Sequence, residues 1–302
     1  MEFKPSYLKL LESNELDKKI KELYSILECC ELCPRKCHVN RLKGERGFCK
    51  SGKELMISSF GPHFGEEPEL VGTHGSGTIF LTNCNLLCVY CQNYEISHLG
   101  EGREVSLEEA AEMMLTLQKI GCHNINLVTP THFAPQLVKA IKIAAEKGLK
   151  LPIVWNCSGY ENVEVIKILD GIVDIYMPDI KYSNSESARK YSRAKDYFER
   201  CKEAVKEMHR QVGDLKIDER GIAYRGLIIR HLVLPNDLAG SEKVLEFVAS
   251  LSKDSYVNIM DQYTPCWKAF EFKELSRPIT ASEYLKVIKI AKKLGLHRGF
   301  NY

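Results

Sequence analysis

Residues 78–93 read Thr-Ile-Phe-Leu-Thr-Asn-Cys-Asn-Leu-Leu-Cys-Val-Tyr-Cys-Gln-Asn. A short apolar strand runs directly into a loop that carries Cys84, Cys88 and Cys91 at the spacing Cys-x3-Cys-x2-Cys. Three thiolates on one tight loop can hold three corners of an iron–sulfur cubane, whereas a plain electron-transfer cluster takes four cysteines. With three, one iron keeps an open position for a substrate or cofactor, which is what metal chemistry needs. The bland alternative is a zinc site or three buried thiols. Zinc prefers four ligands in paired Cys-x2-4-Cys units; only one such unit occurs here, and the next cysteine downstream is Cys122.

Outward from this loop the pattern is regular. Apolar strands are expected at 78–82, 124–129, 152–156, 172–177, 227–234 and 256–260. Helices are expected at 106–119, opened by a Ser106/Glu109 capping box, and at 134–147, 162–169, 185–209, 241–251 and 281–294. Alternation of this kind implies parallel strands with helical crossovers, closed either as an open doubly wound sheet or as a barrel. No Gly-rich dinucleotide loop follows the first strand, and a cysteine loop stands where a barrel carries its active site. The expected fold is therefore α/β, a partial (β/α)6 TIM-like barrel over residues 61–302. Residues 1–60 are expected to form an N-terminal helix over 14–27, capped by Asn14, and a Cys-rich metal-binding segment. Residues 50–76, rich in Gly, His, Pro and Glu, read mostly as loop.

Eight of the twelve cysteines lie between residues 29 and 91, a crowding that core packing does not explain. Cys30, Cys33, Cys37 and Cys49 have spacings that suit a tetrahedral zinc site or a second iron–sulfur cluster, with the adjacent Cys29 as an alternative first ligand. The net charge of +2 carries no electrostatic footprint for nucleic acid. No stretch approaches the length of a membrane span, and the first residues, MEFKPSYLKLLESNE, lack the apolar core of a secretory signal. A cytoplasmic protein without membrane or nucleic-acid partners is expected.

The Cys84–Cys91 loop resembles that of the radical S-adenosylmethionine (SAM) superfamily, and Tyr90 matches an aromatic found before the third cysteine there. The resemblance implies a [4Fe-4S] cluster whose open iron chelates SAM. One electron then cleaves the sulfonium, and a 5'-deoxyadenosyl radical abstracts hydrogen from a substrate. It also implies SAM contacts from Thr129 and Thr131, which stand where the family often has a Gly-Gly-Glu-like segment. Asn156 and Ser158 resemble the Thr-Asn-Gly turn of glycyl-radical activating enzymes. Asp179 and Lys181 resemble the active-site Asp-x-Lys of those enzymes, and Arg230 matches an Arg that contacts SAM or substrate. Cys157 and Cys266 either take part in chemistry or line the site as small apolar groups, and His132 is either functional or a structural hydrogen-bonder.

A second resemblance runs through Cys-x2-Cys-Pro-Arg-x-Cys-x-Val-Asn-Arg, CQNYEIS, VTPTH, MPDIKY, RHLVLPNDLAG and QYTPC. These segments look like a radical SAM subfamily related to pyruvate formate-lyase activating enzyme. In those enzymes extra cysteines usually follow the SAM loop; here they precede it. The resemblance implies a flavodoxin or ferredoxin as electron donor and a protein substrate. A small-molecule substrate, or a non-catalytic electron-transfer or binding role, are the competing functions.

Overall fold

The computed structural model describes residues 3–300. Its strands are β1 (Leu55–His63), β2 (Ser76–Leu81), β3 (Arg103–Val105), β4 (Ile125–Val128), β5 (Ile153–Cys157), β6 (Ile175–Pro178), β7 (Lys216–Ile217), β8 (Ala223–Leu232) and β9 (Tyr256–Met260). Six of them, in the order β2-β4-β5-β6-β8-β9, form one parallel run. β1 flanks β2 antiparallel, β3 flanks β1, and β7 pairs β8. Among the described residues β2 and β9 are not paired, so the curved sheet is an open, partial barrel. Every residue of β5 and β6 is buried. That is the signature of parallel strands covered on both faces, and it explains their unbroken apolar runs.

The crossover helices arise from ordinary signals. Ser106 Oγ accepts from Glu109 N–H at 3.0 Å to start Leu107–Ile120. Glu109 turns its carboxylate to Arg103 instead of closing the capping box. Ala134–Glu146 buries Leu137, Val138, Ile141 and Ala144 on one stripe.

Four expectations need correction. Residues 50–76 contain β1 and a short helical turn, Pro68–Val71. Gly61 and Pro62 disguised the strand, yet β3 covers only its first three residues, so Pro62 lies on an uncovered edge where a missing N–H costs nothing. The helix expected at 185–209 is two, Ser185–Ser192 and Tyr197–Val212, broken where Arg193 takes a left-handed φ of 52°. Asn14 is left-handed and makes no side-chain cap; a further helix, Ser6–Glu12, runs up to it. The fourth strand spans Ile175–Pro178 rather than 172–177.

The N-terminal segment shares the barrel's core, with Tyr7, Leu16, Leu23 and Leu27 fully buried in it. It begins at the strands' N-terminal ends. There Ser6 N–H donates to Asp174 Oδ1 (3.0 Å) and Tyr7 Oη–H to Leu151 O (2.9 Å). It then climbs the barrel wall, so its cysteines reach the opposite rim.

Candidate metal and cofactor site

β2 delivers the chain to Thr82, and the cysteine loop follows. Asn83 and Leu87 take left-handed φ values of 66° and 56°, folding the loop tightly. Asn83 N–H donates to Ile96 O (2.8 Å), and His98 Nε2 donates to Cys88 O (2.9 Å). Each sulfur has a hydrogen-bond partner. Leu86 N–H lies 3.3 Å from Cys84 Sγ, Ser192 Oγ 3.0 Å from Cys88 Sγ, and Ser97 Oγ 3.2 Å from Cys91 Sγ. Tyr90 is buried, its ring edge-on to Tyr182 and Tyr263 at centroid distances of 6.3 and 5.8 Å. Beyond β9, the chain folds back over the loop, where Lys268 N–H donates to Val89 O (2.9 Å) and Cys266 Sγ approaches Cys91 O (3.5 Å).

The three thiols face a cavity of about 400 Å³ at the C-terminal ends of the parallel strands. Burial pushes all three upward, Cys84 to about 12, and the charges of Cys88 and Cys91 add to the rise at Cys84. Three buried thiols crowded together without a cation are costly to ionise, and a bound cationic centre is what would draw off their protons. The donor set thus fits a cluster.

The opposite wall of the cavity is charged. Arg230, on β8, donates from Nε to Asp179 Oδ1 (2.7 Å), from Nη1 to Glu66 Oε2 (3.1 Å) and from Nη2 to Asn156 Oδ1 (2.7 Å). Lys181 Nζ donates to Asp179 Oδ2 at 2.6 Å. Burial favours a neutral Asp179, but Arg230 and Lys181 outweigh it and hold the carboxyl below its usual range. Burial dominates at Glu66 and raises it despite Arg230. Lys181 is held charged by Asp179 against its burial. Its ammonium, with donors to spare, and the guanidinium of Arg230 suit an anionic group such as a carboxylate.

Tyr90, Thr129, Asn156, Cys157, Ser158, Asp179, Lys181 and Arg230 all line this cavity with the three cysteines. Thr129, at φ 61°, donates its N–H to Asn156 O (2.8 Å). Thr131 is not among the lining residues; its hydroxyl donates to Glu161 Oε1 at 2.5 Å. Cys157 is buried and its thiol is raised by burial. Cys201 is buried in the helix Tyr197–Val212, and Cys122 is also buried. Sequence reasoning missed Glu66, Ser97 and Ser192. Glu66 sits in a polar Gly-Glu-Glu-Pro stretch that reads as solvated loop, and the two serines meet the thiols only through the fold.

Cys30, Cys33, Cys37 and Cys49 line a second, small cavity together with Arg35, Arg41 and His132. Cys29 is exposed, its Sγ 3.4 Å from His38 Nδ1, and does not line this cavity. Phe48 N–H donates to Cys37 Sγ at 3.3 Å. Gly47 is required there, because a Cβ would lie 2.7 Å from both Cβ and Sγ of Cys37. His132 is buried. Its Nε2 donates to Thr82 O (2.8 Å), its Nδ1 has no partner, and burial pushes it down to about 3, so the ring is neutral. Among the described residues, no three His, Cys, Asp or Glu side chains converge on a single ion.

Residues 78–217 match the model of the Radical SAM superfamily. The uncharacterized protein MJ0674 of Methanocaldococcus jannaschii is 34% identical over 298 residues, covering 96% of this chain and 82% of that one. The chain belongs to the radical SAM superfamily. Two solved structures are similar at lower identity. Methylornithine synthase (PylB) is 17% identical, with a TM-score of 0.45, covering 70% of this chain and 59% of that one. HydG, a maturase of the [FeFe]-hydrogenase, is 13% identical, with a TM-score of 0.47, covering 72% and 48%. This chain thus spans less than two thirds of either. Membership of the radical SAM superfamily implies a [4Fe-4S] cluster and SAM as cofactors. Among the described residues no helix is long and apolar enough to cross a membrane.

Proposed function

We propose that this radical SAM protein abstracts hydrogen from a polypeptide, in the manner of the activating enzymes its rim segments resemble. The observation that carries the chemistry is the three-thiol loop facing Asp179, Lys181, Arg230 and Glu66 across one cavity. When bound, a [4Fe-4S] cluster on Cys84, Cys88 and Cys91 and SAM beside it supply one-electron cleavage to a 5'-deoxyadenosyl radical.

The protein's own residues bind and orient. Lys181 and Arg230 hold the SAM carboxylate, Asp179 keeps both cations in place, and Asn156 and Ser158 present polar groups to the remainder. Tyr90 packs the loop against Tyr182 and Tyr263 and would help keep water from a bound cluster. A low-potential flavodoxin or ferredoxin supplies the electron, and a reducing cytoplasm suits a chain whose twelve cysteines are all free. Cys30, Cys33, Cys37 and Cys49 are a second metal site in this reading.

The test uses anaerobically reconstituted, dithionite-reduced protein with SAM. Methionine and 5'-deoxyadenosine are expected, with a SAM-induced change in the cluster's electron paramagnetic resonance (EPR) signal; Cys88→Ala should lose both. Deuterated polypeptides encoded beside the gene should pass deuterium into 5'-deoxyadenosine. Transfer from small-molecule extracts alone would move the reading to a small-molecule substrate.

A further inference from the structure

We propose that Cys30, Cys33, Cys37 and Cys49 hold a four-iron cluster that relays single electrons to the Cys84–Cys88–Cys91 centre. The presence of this cluster stands by itself; the relay rests on the proposed SAM reading.

Size separates the two candidate metals. A tetrathiolate zinc site has Zn–S bonds of about 2.3 Å, and a sulfur radius of about 1.8 Å then leaves only roughly 0.5 Å of open space about the metal position. No water-sized sphere enters such a site. The cavity that the four cysteines line together with seven other residues does admit one, with about 10 Å³ of room for its centre. Nor do any three of these thiols converge on a single ion. A cubane fills such a space and offers one iron to each of four thiolates.

The walls suit an anionic cluster. Arg35, Lys36 and Arg41 line the cavity. Arg41 is 1% exposed, and its Nη1 donates to His132 O at 2.7 Å. Backbone N–H groups reach two of the sulfurs, Phe48 to Cys37 and Arg35 to Cys33. Hydrogen bonds of this kind stabilise the reduced, more negative state of a cluster.

The connection to the SAM loop is short. Arg35, whose N–H reaches Cys33, donates through its guanidinium to Asn85 O (3.0 Å) and Leu86 O (3.4 Å). Leu86 N–H in turn reaches Cys84 Sγ (3.3 Å). Two residues therefore link a sulfur of one site to a sulfur of the other. His132 forms a second link, from the cavity wall to Thr82 O at the start of the cysteine loop. In the relay, a low-potential one-electron carrier protein is oxidised and the four-cysteine cluster gains one electron. That electron passes to the SAM-site cluster and then to the sulfonium, with no proton moved between the two sites.

The experiment measures iron, sulfide and zinc in the reconstituted full chain, with EPR after reduction. We expect about eight irons per chain, negligible zinc, and two reduced signals that broaden each other. In Cys33→Ser iron should fall to about four, while SAM still shifts the remaining signal. Reduction of that cluster by flavodoxin should slow at least tenfold, although dithionite still reduces it. If Cys33→Ser does not fold, the Cys84→Ala/Cys88→Ala/Cys91→Ala variant should keep about four irons and a SAM-insensitive signal. About four irons with one zinc in the wild type would overturn the cluster, and an unchanged flavodoxin rate would overturn the relay. Two clusters with neither signal sensitive to SAM would instead sink the SAM reading and leave the second cluster standing.

Discussion

Arg230 is the clearest place to perturb the cavity wall. Its side chain is 17% exposed, and it faces two carboxylates, Asp179 at 15% and Glu66 at 8%. In Arg230→Met, Asp179 keeps Lys181, but Glu66 loses its salt-bridge partner and stays buried. Breaking a buried pair from one side typically costs about 3–5 kcal/mol, mostly the penalty of the charge left behind. For a chain of this size that lowers the melting temperature by roughly 5–8 °C. Glu66 already titrates above its ordinary range because of burial, and losing Arg230 raises it further. A raised carboxyl costs stability only where it must ionise. The deficit is therefore full above the raised pKa and shrinks as pH falls toward the ordinary carboxylate range. Melting of wild type, Arg230→Met, Glu66→Gln and the double variant at pH 6 and 8.5 measures this. The double variant should recover much of the loss, because the coupled charge is gone. An Arg230→Met protein that melts within about 1 °C of wild type at pH 8.5, or a double variant with no recovery, refutes the reasoning.

Three further outcomes are expected. Ser192→Ala removes the hydroxyl 3.0 Å from Cys88 Sγ and should lower the cluster's reduction potential by on the order of tens of millivolts in an EPR-monitored titration; an unchanged or raised potential would count against the contact. Asp174 is fully buried and pushed up to about 6. Its stability contribution is fully present below the ordinary value of 3.8 and is lost as pH rises through about 6. That loss is on the order of 3 kcal/mol, and Asp174→Asn should flatten the melting profile there; parallel profiles would contradict the burial argument. Gly159 has φ +75°, and a Cβ there would lie 2.4 Å from Asp179 O. Gly159→Ala should lose more than about 3 kcal/mol in urea unfolding and disturb the Asp179 corner; a near-neutral result would show that corner to be soft.

The six parallel strands were legible because strands covered on both faces leave unbroken apolar runs, and the cysteine loop because its spacing is rigid. β1 was hidden by Gly61 and Pro62, residues that ordinarily break strands and are tolerated here on an uncovered edge. Arg193 breaks the long polar helix without a glycine or proline to announce it, and that break carries Ser192 to Cys88. Spacing could not choose between Cys29 and Cys30, since adjacent residues fit the same interval. Burial separates them, with Cys30 in the cavity wall and Cys29 in solvent. Glu66 was beyond reach for a different reason. Its role comes from Arg230, which is 164 positions away in sequence.

The same long reach bears on how the protein is made. Arg35 spans 157 positions to Ser192 O, and Ser192 spans 104 to Cys88. A chain leaving the ribosome therefore presents its first eight cysteines well before the residues that cage them exist. Contacts this distant form late and slowly. Iron delivered during synthesis would meet loose, oxidisable thiols, whereas iron delivered to the released chain would meet a finished cradle. The order of events thus favours loading after translation, and expression conditions that hold oxygen away until the last third of the chain has folded.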